Sequence, residues 1–142
     1  MLIKYGTLDQ NVLELLVRAT YPRPDAIERL QHFYSAGQSR EVFGWSVDGQ
    51  VVCALGIERH PHRLEITHIA SLQDRGGQGY GRALITAVRE ATGIHVFTAE
   101  TDDHSVGFYR KCGFVCEELN SPYETKRYQC VLTPNSSLGN WS

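Results

Sequence analysis

Four glycines crowd into the six residues Gly76 to Gly81 of the stretch "DRGGQGYGRAL". An apolar, strand-like run precedes them and a run with helical spacing follows. A glycine loop at such a junction suits an anion. Backbone amides and a helix N-terminus both favour negative charge, and absent side chains let a phosphate come close. Two familiar versions fail on spacing. The dinucleotide pattern G-x-G-x-x-G needs a glycine where this chain has Arg82, counted from Gly77, or Leu84, counted from Gly79. The P-loop spacing is met by Gly76 and Gly81, but Arg82 and Ala83 then stand where Lys and Ser/Thr are required, so no hydroxyl is present for magnesium. His60 and His62 in "HPH" have no third ligand at fixed spacing and read as part of a hairpin turn, so no metal is expected. Cys53, Cys112, Cys116 and Cys130 show no C-x-x-C pair and read as free, mostly core-filling thiols.

The chain that must position these residues has 142 of them, 42% apolar and 21% charged, with a formal charge of −2. That is one domain of ordinary globular composition, expected over residues 1–133, with residues 134–142 as a short polar tail containing Trp141. No basic footprint for nucleic acid is visible, and no apolar run approaches the ~20 residues that span a bilayer. The N-terminus lacks the basic, apolar and small-residue regions of a signal peptide, so the cytoplasm is the default address.

Periodicity supplies the elements. "LIKYG" reads as a first strand. "DQNVLELLVRATY" reads as a helix with Asp9 as N-cap, and "YPRP" as a turn. "DAIERLQHFYSAG" is a second helix ending at Gly37. "EVFGWSVDGQVVCALGIE" is a hairpin turning at Asp48-Gly49, and "LEITHIASL" adds a third strand to that meander. After the glycine loop, Tyr80, Leu84, Ala87, Val88 and Ala91 keep helical spacing. "IHVFTAE" is a buried strand, "DDHSVGFYRKCG" a short helix stopped at Gly113, and "FVCEEL" and "YETKRYQCVL" two final strands. The order β-α-α-β-β-β-α-β-α-β-β predicts an α/β fold with a mixed sheet.

Two motifs then carry a resemblance. "GGQGYGRAL" resembles the acyl-CoA-binding loop R/Q-x-x-G-x-G/A of the GNAT superfamily of N-acetyltransferases, and "TDDHSVGFYRKCGF" resembles that superfamily's second signature, an Asn or Asp before a helix reading A-x-x-x-Y-x-K-x-G-F. One strand separates them, and the element order is also the family's, so the resemblance covers essentially the whole chain. It departs in two places. The leading Arg/Gln falls on Gly76, with Arg75 one position earlier, and Ser105 replaces the Ala.

The resemblance implies a mostly antiparallel sheet with a splayed central strand pair and acetyl-CoA as co-substrate. The coenzyme's pyrophosphate would lie on the loop, with Arg75, Gly76, Gly77, Gln78, Gly79, Tyr80, Gly81 and Arg82 around it. A side chain at Gly77, Gly79 or Gly81 would hold the phosphates away. Ile69, Ala70 and Ser71 would offer backbone to the pantetheine arm, and Ser105, Phe108, Tyr109 and Lys111 would complete the coenzyme site. Tyr109 sits at the position of the family's general acid. Glu65, eleven residues before Gly76, is one candidate base and Glu100 another. His68 is a third, expected on the strand face opposite Glu65 unless the bulge that the family carries in this strand intervenes. The acceptor would be a primary amine, its identity set by the two N-terminal helices, their "YPRP" connection and the loop near "NSPYET". A non-catalytic acyl-CoA sensor on the same fold is the alternative, favoured if neither Glu65 nor Glu100 faces the cleft. Homodimers are expected; nucleic acid and membrane partners are not.

Overall fold

The computed structural model describes residues 1–72, 78–120 and 125–134. Its elements run β1 (Leu2–Tyr5), α1 (Gln10–Val17), α2 (Ala26–Ala36), β2 (Arg40–Val47), β3 (Gln50–His60), β4 (Arg63–Ser71), α3 (Tyr80–Thr92), β5 (Phe97–Asp102), α4 (Val106–Lys111), β6 (Val115–Leu119) and β7 (Arg127–Leu132). This is the order read from the sequence. The strands form one sheet in the order β1-β2-β3-β4-β5-β7-β6, antiparallel at every pairing except β4 with β5. Residues 135–142, with Trp141, and most of "NSPYET" lie outside the described residues. Among those described, no helix is long and apolar enough to cross a membrane.

Local chemistry explains most boundaries. The Asp9 carboxylate accepts from the Val12 amide at 2.9 Å and starts α1 as expected. The helix stops at Val17, sooner than its apolar pattern suggested: the Ala19 and Thr20 amides close tight turns onto Leu16 and Val17, and Pro22 follows. Asp25 does not cap α2; its carboxylate takes Arg29 Nε at 2.8 Å instead. Asp48 and Gly49, at φ 52° and 80°, make the tight turn between β2 and β3.

Each face of the sheet buries its own core. Leu84, Ile85 and Val88 of α3 and Val106 and Tyr109 of α4 pack on Leu55, Ile57, Leu64, Ile66 and Phe97. Val12, Leu13 and Leu16 of α1 and Leu30 and Tyr34 of α2 pack on Val42, Ala54 and Ala70. Strand β4 changes allegiance part-way. Ile57 of β3 faces Ile66, but Gly56 faces His68, so Thr67 is an extra residue on β4. Before this bulge the even-numbered Leu64 and Ile66 face α3 and α4. After it Ile69 does so, and Ala70 turns to α1 and α2. The bulge therefore puts His68 on the same face as Glu65, not the opposite one as simple alternation predicts.

Candidate active site

Strand β5 stays paired with β7 along its whole length but meets β4 at only two rungs, Leu64 with Phe97 and Glu65 with Thr98. The Leu64 amide donates to the Val96 carbonyl at 2.9 Å. Beyond the bulge the strands diverge and leave a cleft of about 440 Å³. Its walls are residues 66–71 of β4 and 100–102 of β5, closed by Ser105, Phe108 and Tyr109 at α4 and by Arg18 after α1. Ile69, Ala70 and Ser71 thus line the cleft with β4 backbone that no longer reaches β5. Such groups need water or a ligand to satisfy them.

The glycine loop reaches the described residues at Gln78, while Arg75, Gly76 and Gly77 lie outside them. Gly79 is the N-cap of α3 with φ 80°, a left-handed conformation that a Cβ disfavours, and no side chain caps the helix. The helical amides of Tyr80 and Gly81 have no acceptor within the helix, and the dipole adds positive character there. Gly81 has a packing reason to be small besides the one read from the loop. A Cβ there would lie 2.7 Å from the Phe108 ring, so the close approach of α4 itself requires the missing side chain. Gln78 accepts from the Tyr80 hydroxyl at 3.4 Å. The Arg82 guanidinium donates to the Lys111 carbonyl at the end of α4, where the helix dipole favours a cation. Lys111 itself is exposed.

Tyr109 is only 5% exposed, set edge-on against Phe108 and Phe114, and it lines the cleft. Burial pushes its phenol well above the usual value, and the thiols of Cys130, Cys112 and Cys116 add to this. The hydroxyl keeps its proton at neutral pH. Burial likewise pushes the Cys112 thiol up to about 11, which removes it as a nucleophile.

The candidate bases separate. Glu65 does not line this cleft. It sits where β4 and β5 are still paired, accepts from His60 Nε2 at 2.9 Å and has Arg63 4.0 Å away. Glu58, His60 and Glu65 bring their ligand atoms within 4.8 Å of one another, but Arg40 holds Glu58 at 2.7 Å, so the group reads as a network of ion pairs. His62 is exposed at the turn. Glu100 does line the cleft, with Arg127 Nε 3.3 Å from its carboxylate. His68 lines it too.

A family model described as the acetyltransferase (GNAT) family matches residues 10–114. The chain belongs to the GNAT acetyltransferase family. Solved structures agree on the fold. An aminoglycoside 6′-N-acetyltransferase complexed with coenzyme A superposes with a TM-score of 0.74 at 12% identity, covering 94% of this chain and 96% of that one. A GNAT acetyltransferase from Elizabethkingia anophelis with acetyl-CoA bound gives 0.64 at 19% identity, covering 94% and 95%. The ribosomal-protein-S18-alanine N-acetyltransferase of Escherichia coli gives 0.64 at 17%, covering 94% of each chain.

This GNAT chain also contains a side-chain network that sequence reasoning missed. Tyr34 reaches from α2 across β3, and its hydroxyl lies 2.7 Å from Thr67 Oγ1 and 2.6 Å from His68 Nδ1. A Cβ on Gly56 would fall 1.6 Å from that hydroxyl oxygen. A glycine in mid-strand was the available signal, since it marks a close approach by something else.

Proposed function

We propose that this GNAT acetyltransferase transfers acetyl from acetyl-CoA directly to a primary amine of a small molecule or peptide. The observation that carries the reading is the cleft between β4 and β5 with Tyr109 in its wall. Glu100 facing that cleft favours catalysis over an acyl-CoA sensor.

The coenzyme's phosphates are assigned to the N-terminus of α3 at Gly79 to Gly81 and the loop before it, with Arg75 in place of the missing Arg/Gln. Pantetheine runs along Ile69, Ala70 and Ser71, beside Ser105 and Phe108. A β4 amide aimed at the thioester carbonyl would hold the developing oxyanion, a contribution of roughly 3–4 kcal/mol where such donors have been removed elsewhere. The amine nitrogen attacks the carbonyl carbon, the C–S bond breaks, and Tyr109 gives its proton to the leaving thiolate. A buried, protonated phenol is in the correct form for that step.

The test is calorimetric titration with acetyl-CoA followed by thiol release with a panel of amines. Saturable binding with amine-dependent release is expected. Binding without release from any amine leaves a sensor, and no binding removes the reading. Homodimerisation belongs to the same proposal, supported by the exposed apolar side chains of Val115 and Leu119 on the edge strand β6. Light scattering at high micromolar concentration checks it. Activity in the cytoplasm is likewise proposed, to be read by cell fractionation.

A further inference from the structure

We propose that His68 takes the acceptor's proton, and that the acceptor is a primary amine on a compact apolar body without further positive charge, seated in a pocket between the end of α1 and α2. This rests on the acetyl-transfer reading above and names the base and substrate class for that site.

A second cavity, of about 260 Å³, opens beside the cleft. Ala26, Leu30 and Phe33 of α2 and Tyr21 form its apolar walls, and Arg23 and Arg29 also line it. Among the described residues His68 is the one that lines both this pocket and the cleft. An amine held in the pocket must pass His68 to reach a thioester in the cleft. The imidazole is held for that passage. Nδ1 is bonded to the Tyr34 hydroxyl at 2.6 Å, and Phe33 stands edge-on to the ring with centroids 5.6 Å apart. Arg40 lies 3.8 Å over Phe33 and donates Nη1 to its carbonyl, fixing that end of α2. Among the described residues Nε2 has no protein partner, although the buried polar atoms around it are satisfied. If Tyr34 donates to Thr67 and accepts from Nδ1, Nε2 carries a lone pair toward the cavities.

Among the described residues no carboxylate lines the pocket. The Arg29 charge is shared with Asp25 at 2.8 Å, while Arg23 lies over the Tyr21 ring. A polyamine would meet like charge there with nothing to pair it, whereas an apolar monoamine, neutral or anionic at its far end, fits the walls. The same surroundings lower the ammonium's own pKa, which eases its deprotonation by an imidazole.

The step balances as follows. Nε2 takes one proton from the ammonium, and the freed lone pair forms the C–N bond at the thioester carbon. The C–S bond breaks with its electron pair going to sulfur, which takes the Tyr109 proton. The nitrogen's surplus proton restores Tyr109, and His68 returns its proton to solvent. Ammonium and thioester become amide, thiol and one released proton.

The titratable and charged groups around His68 among the described residues are Tyr34 on α2, Arg40 behind Phe33, Arg23 and Arg29 in the pocket, Arg18 after α1, Glu100 and Asp102 on β5, Tyr109 on α4 and Arg127 on β7. Burial holds the imidazole below its usual value. The active neutral form is therefore lost only as pH falls below the ordinary imidazole range of about 6.5.

The experiment compares 2-phenylethylamine with spermidine as acceptors. Wild type should favour 2-phenylethylamine by about tenfold or more in kcat/KM, and His68→Gln should lose about a hundredfold in kcat along with the acidic limb of the pH profile. Its acetyl-CoA affinity should stay within about threefold of wild type, because the residue acts on the acceptor. A folded His68→Gln within about threefold of wild-type kcat, or retaining the acidic limb, overturns the proposal. If that variant does not fold, two exposed positions decide. Tyr21→Ala should raise KM for 2-phenylethylamine several-fold, and Arg23→Glu should narrow its lead over spermidine; no change in either overturns the proposal. Acetyl-CoA binding without acetylation of any apolar amine sinks this inference alone. Absence of acetyl-CoA binding sinks the reading beneath it as well.

Discussion

The two halves of β4 share a strand and divide its labour. Up to Glu65 the backbone is bonded on both sides, and the side chain of Glu65 is engaged by His60 with Arg63 nearby. From His68 onward β4 keeps β3 but has lost β5, and its residues line cavities. A carboxylate in the first half is tied to His60 through one oxygen and lines a separate cavity with Arg63, Thr98 and Glu100, outside the cleft that holds Tyr109. An imidazole in the second half has one nitrogen held and the other turned to space. The candidate chemistry follows the unfilled hydrogen-bonding capacity, and the Thr67 bulge marks where that capacity begins.

The sharpest way to break this contrast is to remove a group from the open half. Tyr109→Phe should keep the ring packing and coenzyme affinity while kcat falls ~10²–10⁴-fold, or about 3–5 kcal/mol, in single-turnover thioester cleavage. An unchanged chemical step would make Tyr109 a wall of the cleft. Gly56→Ala tests the support of that half, because the new methyl collides with Tyr34. We expect about 1–3 kcal/mol of lost stability in urea unfolding, and a much smaller loss in a Tyr34→Ala background, where the collision partner is gone. Equal losses in both backgrounds would disconnect Gly56 from the network. The smallest effect belongs to the closed half. Glu65 is 43% exposed, so Glu65→Gln should cost less than about 1 kcal/mol and leave kcat and its pH profile unchanged. A displaced acidic limb would restore Glu65 as the base.

Much of this arrangement was legible in the residues. Apolar periodicity gave the eleven elements in order, Asp9 and Asp48-Gly49 gave two of their boundaries, and the family resemblance of the glycine loop and the Tyr109 helix pointed to the cleft between β4 and β5. The resemblance implied a bulge in β4, but its position was not legible, because Glu65-Ile66-Thr67-His68 alternates as an unbroken strand would. Alternation is a property of one strand, and a bulge is a property of two. For the same reason simple alternation puts His68 on the wrong face, and Gly56 reads as an ordinary strand glycine. Gly81 was read as a close approach by phosphate, and the structure adds the Phe108 ring as a neighbour that the loop motif did not reveal. A lone sequence shows that a side chain is missing and does not show what fills the space.

A sheet of seven strands joined at its centre by two rungs is mechanically two sheets, four strands and three, meeting along a short seam. Seams of this kind open below the free energy of global unfolding. The Leu64 amide at the seam should therefore exchange with deuterated water through a local parting of β4 from β5, faster than the amides that bind β2 to β3. A molecule filling the cleft would bridge the two sheets and slow that exchange, turning one amide into a gauge of whether the protein is loaded.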